Sequence, residues 1–190
     1  WIKAEHVGYC TREQMVHYLN AEPFVVTTGS KTDLFLDQGL RRHHAYARMG
    51  CRFPSRDTGS PGVIEALLPF RNEEGKCVLK GAFVMAGQVS RGYLPYTPRT
   101  IILQAFKLLH APYGWGDMHG EQDCSRFIQV VFSTVGIQLP RNSLQQAKVG
   151  RLIAAFTRES DAQKRLDVFS DASLGRTCIL HMSGHIMLFL

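Results

Sequence analysis

The chain has 190 residues, enough for one large domain or two small ones. Hydrophobic residues make up 45% and aromatic residues 10%, which favours a folded core and argues against disorder. The net charge of +6 comes from scattered lysines and arginines, so we predict no dedicated nucleic-acid surface, and no apolar run is long enough to predict a membrane span.

Residues 1–22 read as the end of a preceding module and a connector. Residues 1–7 alternate like a short strand, and Thr11 is a suitable N-cap for helical turns that reach Leu19. Between residues 23 and 92, short apolar runs alternate with Gly, Asn and Asp turns, which predicts an antiparallel sheet or a small barrel. The clearest hairpin lies at Asn72–Gly75.

Helices are predicted after residue 92. Thr97 as N-cap and Pro98 at the first helical position begin one helix. Asp123 is a good N-cap for a second, which ends before Gly136 and carries a wide apolar face. The apolar residues of that face are Phe127, Ile128, Val130, Val131, Phe132 and Val135.

The last fifty residues predict smaller elements. Asn142 or Ser143 caps a short helix that runs to Val149, and a solvated helix is predicted over residues 158–165. Two strands then flank a tight turn at Ser183–Gly184. The sequence stops at Leu190 in an apolar run that reads as mid-strand, so we expect a piece of a longer protein.

Cys124 falls in the first turn of the helix that Asp123 caps. Helix N-termini favour a thiolate, which makes Cys124 a candidate nucleophile that needs a distant histidine partner. The alternative is a buried structural cysteine, which is the commoner case. Polar neighbours, the position at a helix start and the glycine-rich loop at residues 112–120 favour the reactive interpretation.

The spacing of the cysteines and histidines does not indicate a metal centre. Cysteine spacing shows no Cys-x-x-Cys and no Cys/His cluster, so we expect no metal and no cofactor. The sequence does not decide whether Cys51 and Cys77 form a disulfide. His185 opens the last strand and is the candidate base; its alternatives are a packed core histidine, or His181 on the neighbouring strand as the base.

Three ordered stretches, PYGWGDMHGEQDCSRF, GIQLPRNS and SGHIMLFL, resemble the NlpC-type family of bacterial cell-wall cysteine endopeptidases. The resemblance covers about residues 97–190. It implies an α+β fold in which a papain-like catalytic domain, with helices packed on an antiparallel sheet, occupies residues 93–190 and is truncated at its C-terminus. The all-β region at residues 23–92 is similar to the small SH3-like barrels of bacteria that precede such domains, and residues 1–22 would end an earlier module of that kind.

The resemblance implies a role for each matching residue. Cys124 would be the nucleophile, His185 the general base and Tyr113 a group that polarises the carbonyl. Substrate contacts would come from Asp123, Ser125, Ser143 and Trp115, although Tyr113 and Trp115 are equally typical of packing and Ser143 of a helix cap. The third catalytic residue would follow Leu190, and Arg126 departs from the family, which usually has a glycine there.

The family also implies a substrate. We expect hydrolysis of peptidoglycan stem peptides or murein-derived peptides at the γ-D-glutamyl–diamino acid bond, with a free N-terminal L-Ala, in the bacterial cell envelope or outside the cell. If the protein recycles murein peptides, we expect it in the cytoplasm instead. Two alternatives remain: a catalytically decayed wall-binding protein, and an amidase or acyltransferase on the same core.

Overall fold

The computed structural model describes residues 7–171 and 177–189, so most of the strand predicted at residues 1–7 lies outside the described residues. The chain divides between Leu94 and Pro95 into two compact units, close to the boundary predicted at residue 92. Within the described residues, no helix has the length and apolar character that crossing a membrane requires.

The first unit is an antiparallel sheet preceded by one helix. The sheet has seven strands in the order β3-β2-β6-β5-β4-β1-β7. The elements are α1 (Arg12–Asn20), β1 (Phe24–Thr27), β2 (Lys31–Phe35), β3 (His43–Arg48), β4 (Arg52–Asp57), β5 (Val63–Arg71), β6 (Cys77–Met85) and β7 (Val89–Arg91). Alternating apolar residues, among them Val25, Leu34, Ile64 and Val84, form its core.

The predicted hairpin at Asn72–Gly75 is confirmed. It joins β5 and β6, which pair from Val63↔Met85 to Arg71↔Cys77. The Asn72 side chain accepts a hydrogen bond of 2.8 Å from the backbone N–H of Lys76. Gly75 has a φ of 81°, a backbone conformation that glycine adopts without strain.

Residues before β1 contact the same sheet. Thr11 and Gln14 form a capping box at the start of α1, as predicted. The backbone N–H of Tyr9 donates to the carbonyl of Gly75 at 2.9 Å. Tyr18 donates its hydroxyl to the carbonyl of Leu67 at 3.0 Å, and burial raises the pKa of Tyr18 to about 12. The segment predicted as a connector therefore packs on this unit.

Two further predictions fall on the first unit. Its antiparallel sheet agrees with the all-β class, while the SH3-like barrel stays a prediction. Cys51 and Cys77, whose pairing the sequence left open, are not joined by a disulfide.

The second unit combines four α-helices with a two-stranded antiparallel sheet among the residues that are described. The helices are α2 (Pro98–Phe106), α3 (Cys124–Ser133), α4 (Ser143–Gln146) and α5 (Ala162–Ser170), and the strands are β8 (Cys178–Met182) and β9 (His185–Phe189). The predicted N-caps are confirmed, since Thr97 accepts from the N–H of Thr100 and Asp123 from that of Arg126.

Helix α3 is the central element of the second unit, because it packs against α2, α4 and β9. Its apolar face is buried, as its spacing predicted, and Ile128 is fully enclosed. On β9, Ile186 is only 1% exposed. The Ser183–Gly184 turn joins β8 to β9, with Met182 opposite His185. This hairpin fixes the position of His185 relative to α3.

Two helix predictions were inaccurate in their bounds. The helix after Asn142 ends at Gln146, three residues earlier than expected. The helix predicted over residues 158–165 begins instead at Ala162 and continues to Ser170. The reason is that Asp161 caps it by accepting a hydrogen bond from the backbone N–H of Gln163 at 3.2 Å.

Candidate active site

A cavity of about 470 Å³ lies in the second unit, lined by the loop after α2, the start of α3 and strand β9. It brings together four of the residues predicted for the site. These are Tyr113, Asp123, Cys124 and His185. Apolar side chains, including Phe127 and Ile186, form much of its remaining wall. The space therefore combines a thiol, an imidazole and a phenol in an apolar setting.

Cys124 is the first residue of α3 and is half-buried. The backbone N–H groups of the first helical turn have no acceptor within the helix, so they concentrate positive potential at this end. His185 is also half-buried, begins β9 and lines the same cavity.

The carboxylate of Asp123 is bound by several donors. Arg141 donates to both of its oxygens, from Nη2 to Oδ2 at 2.7 Å and from Nη1 to Oδ1 at 3.0 Å. The Ser125 hydroxyl and the Arg126 backbone N–H donate to Oδ1 at 3.0 and 2.8 Å. Partial burial raises the pKa of Asp123, but the hydrogen bonds from these three residues outweigh it and lower the pKa to about 2.

Ser125 is buried in this structure. Its hydroxyl accepts a hydrogen bond from Arg141 at 2.9 Å while it donates to Asp123. Its carbonyl accepts from Nε2 of Gln146 at 2.9 Å, and the same nitrogen donates to the carbonyl of Pro140 at 2.7 Å. Gln146 thus ties the start of α3 to the segment that carries Arg141.

Tyr113 and Trp115 occupy different positions in the loop between α2 and α3. Tyr113 lines the cavity, whereas the Trp115 side chain is 73% exposed and does not line it. Gly114 between them is buried, and a Cβ there would lie 2.6 Å from both the carbonyl oxygen of Met118 and the Cβ of Glu121. Only glycine fits this close approach without a shift of the loop.

Arg126, which departs from the family pattern, has a defined partner. The short 3₁₀ helix Trp115–Gly120, hereafter the Trp115 turn, contains Asp117 at a φ of 71°. Arg126 donates from Nε to the two oxygens of Asp117 at 3.1 and 3.0 Å, and also from Nη2. Arg126 therefore binds the Trp115 turn to the first turn of α3.

Two other candidates lie away from the cavity lining. Ser143 is half-buried at the first position of α4, where Asn142 is the cap, accepting from the N–H of Leu144 at 2.9 Å. His181 is exposed and lies opposite Ile186 in the hairpin. Among residues 7–171 and 177–189, no three His, Cys, Asp or Glu side chains come together as a metal site.

Arg141 and Gln146 are the contributions that sequence reasoning missed. Arg141 belongs to the stretch GIQLPRNS that the motif comparison included, and Gln146 lies three residues beyond that stretch, yet neither was given a role. Gln146 offered a weak signal, because it lies three residues after Ser143 and so on the same face of a short helix. Its full burial could not be predicted from a polar residue type.

The comparisons with known proteins agree with the motifs. The family model described as the NlpC/P60 family matches residues 110–167. An NlpC/P60 endopeptidase from Photobacterium damselae subsp. piscicida is 22% identical with a TM-score of 0.54, over 72% of this chain and 28% of that chain. An NlpC/P60 family protein from Bacillus cereus ATCC 10987 is 20% identical with a TM-score of 0.54, over 73% of this chain and 44% of that chain. No curated protein matches.

The predicted resemblance to NlpC-type endopeptidases and the α+β fold are therefore confirmed. This chain spans less than half the length of either solved relative. The matched family region includes Tyr113 and Cys124 but stops before His185. The base assignment therefore depends on the cavity geometry and the Gly-His motif.

Proposed function

We propose that this chain, whose fold is that of NlpC/P60 proteins, is a thiol peptidase that hydrolyses peptides of peptidoglycan. Cys124 is the nucleophile and His185 the general base. The observation that carries the proposal is that the first residue of α3 and the first residue of β9 line one cavity. Acyl transfer to sulfur requires a thiol with a general base nearby, and a cysteine and a histidine that line one cavity are suited to these two roles.

The reaction follows from these groups. The Cys124 thiolate attacks the peptide carbonyl carbon, a C–S bond forms, and the protonated imidazole of His185 gives its proton to the leaving amine as the C–N bond breaks. His185 then removes a proton from water, which attacks the thioester and releases the carboxylic acid and the thiolate. The backbone N–H of Cys124 and the hydroxyl of Tyr113 stabilise the oxyanion.

The substrate assignment goes further than the fold. The proposed bond is the γ-D-glutamyl–diamino acid bond of a stem peptide with a free N-terminal L-Ala, in the bacterial cell envelope or outside the cell. Asp123 would contact it from the cavity lining, and Ser125, Ser143 and Trp115, which do not line the cavity, would contact the part of the peptide that extends beyond it. Asp123 supports this because its pKa of about 2 keeps it anionic at neutral pH. Since Arg141 already binds both carboxylate oxygens, an incoming ammonium group would share Asp123 with it.

The test compares variants of the purified protein on L-Ala-γ-D-Glu-diaminopimelate, with release of diaminopimelate measured by mass spectrometry. We expect Cys124→Ala and His185→Ala to lose at least about a thousandfold in rate. His181→Ala, a change of an exposed histidine in the same hairpin, is the matched control and should retain activity. Equal rates for Cys124→Ala and the unmodified protein would refute the nucleophile assignment.

A non-enzymatic wall-binding protein is the second candidate. It is favoured by Arg126, because the family usually has a glycine soon after Cys-Ser, whereas this chain has an arginine that binds the Trp115 turn. Cosedimentation with purified peptidoglycan distinguishes the two. Retention of the protein on the polymer with no peptide release over many hours would favour binding, whereas release that depends on Cys124 would favour the peptidase.

A further inference from the structure

We propose that Arg141 is a positioning residue that compensates the charge of Asp123, so that this carboxylate does not oppose ionisation of the neighbouring thiol. The proposal rests on the proposed function, in which Cys124 is the nucleophile. The aspartate that caps α3 directly precedes Cys124 in the chain, and both residues line the same cavity. The structure assigns the cation that balances it to the segment between α3 and α4.

The contact between Arg141 and Asp123 is a two-point ion pair. Two guanidinium nitrogens bind two carboxylate oxygens at 2.7 and 3.0 Å, the geometry in which such pairs are strongest. The Asp123 side chain is 12% exposed and that of Arg141 is 38% exposed. Limited access to water reduces the screening of this pair compared with a fully exposed one.

The ion pair is part of a balanced four-residue cluster, formed by Asp117, Asp123, Arg126 and Arg141. Arg126 binds Asp117, and Arg141 reaches the same carboxylate at 3.4 Å while it binds Asp123. Two carboxylates and two guanidinium groups give the cluster a formal charge of zero. Loss of Arg141 would leave one uncompensated negative charge beside the first turn of α3.

Among the described residues, few other ionisable side chains line the cavity that contains Cys124. The cavity lining that contains Cys124 also contains Tyr113, Asp123 and His185. Of the elements packed on α3, β9 carries His185, α2 carries Arg99 and α4 carries no ionisable side chain. Asp123 is thus the carboxylate of the cavity lining, and Arg141 is the guanidinium that binds both of its oxygens.

The expected effect has a definite sign. A carboxylate near a thiol disfavours the thiolate, so exposing the charge of Asp123 should move the pH profile of Cys124 alkylation to higher pH. At a pH below the midpoint of that profile, the rate of alkylation should fall several-fold. Removing Asp123 while keeping Arg141 should have the opposite effect, because the guanidinium then lacks its main partner.

The experiment measures alkylation of Cys124 by iodoacetamide against pH, with mass spectrometry to separate Cys124 from the other four cysteines. The variants are Arg141→Gln, Asp123→Asn and the double variant; asparagine retains the helix cap. We expect a raised pKa of Cys124 in Arg141→Gln, a lowered one in Asp123→Asn, and a value within about 0.3 units of the parent in the double variant. Arg151→Gln, the loss of an exposed cation in the same unit, is the control and should leave the profile unchanged.

The sign pattern distinguishes electrostatic compensation from structural damage. If Arg141 only holds the start of α3 in place, all three variants should shift the pKa of Cys124 in the same direction, and that result would overturn the proposal. Because alkylation requires no peptide substrate, an inactive parent protein with the predicted sign pattern would contradict the proposed peptidase and leave the role of Arg141 standing.

Discussion

Replacing Gln146 with alanine tests how the start of α3 is held. The side chain of Gln146 has no exposed surface. Its Nε2 joins the carbonyls of Ser125 and Pro140, so it connects the helix that begins at Cys124 with the segment that carries Arg141. We expect Gln146→Ala to destabilise the second unit and to loosen the first turn of α3.

The magnitude follows from the contacts. Each of the two hydrogen bonds contributes on the order of 1 kcal/mol net, and two carbonyls lose a donor. The cavity left by the shortened side chain adds roughly another 1–2 kcal/mol. Against this, Oε1 of Gln146 is buried with no hydrogen-bond partner among the described residues, and its removal regains about 1 kcal/mol. The net loss in the free energy of unfolding is about 2–3 kcal/mol.

Urea denaturation followed by circular dichroism measures this loss, and amide hydrogen exchange of peptides from α3 and α4 locates it. Gln145→Ala is the matched control, because Gln145 is the exposed neighbour on the same helix. We expect the control to change stability by less than about 0.5 kcal/mol. Equal stability of the two variants, with unchanged exchange in α3, would refute the reasoning.

Three further predictions concern the same unit. Arg126→Gln removes the hydrogen bonds that Arg126 donates to Asp117, so hydrogen exchange in the Trp115 turn should accelerate several-fold, and unchanged exchange would contradict the importance of this contact. Because the pKa of Asp123 is lowered, its ionised form stabilises the fold above about pH 4, and this stabilisation is lost as the pH falls toward 2. The melting temperature of Asp123→Asn should therefore fall less than that of the parent protein between about pH 4 and pH 2. Ile186→Ala should cost about 2–5 kcal/mol in thermal unfolding, whereas Met187→Ala, at an exposed neighbour, should cost much less; similar losses would mean that β9 does not pack through Ile186.

Local signals were sufficient to predict the elements that carry the site. Asp123 caps α3, Thr97 caps α2, and both contacts involve residues only three positions apart. The apolar spacing after Phe127 identified the buried face of α3 because helical periodicity is a property of the sequence itself. The turn residues Ser183 and Gly184 predicted that a strand begins at His185, because turn signals involve neighbouring residues only.

The contacts between distant segments could not be predicted in this way. Arg141 lies 16–18 positions from its partners Ser125 and Asp123, and Gln146 lies 21 positions from Ser125. A contact between residues so far apart in the chain produces no periodic pattern in the sequence. The start of α5 was misplaced because Asp161 competed with other polar residues as a cap, and propensity alone did not decide between them.

The docking of β9 on α3 through Ile186 has a consequence for how occupancy of the cavity would be detected. Cys124 and His185 belong to different elements, α3 and β9, that line one cavity. A small molecule that contacts both side chains would hold β9 against α3. Its binding would therefore slow amide hydrogen exchange in β9.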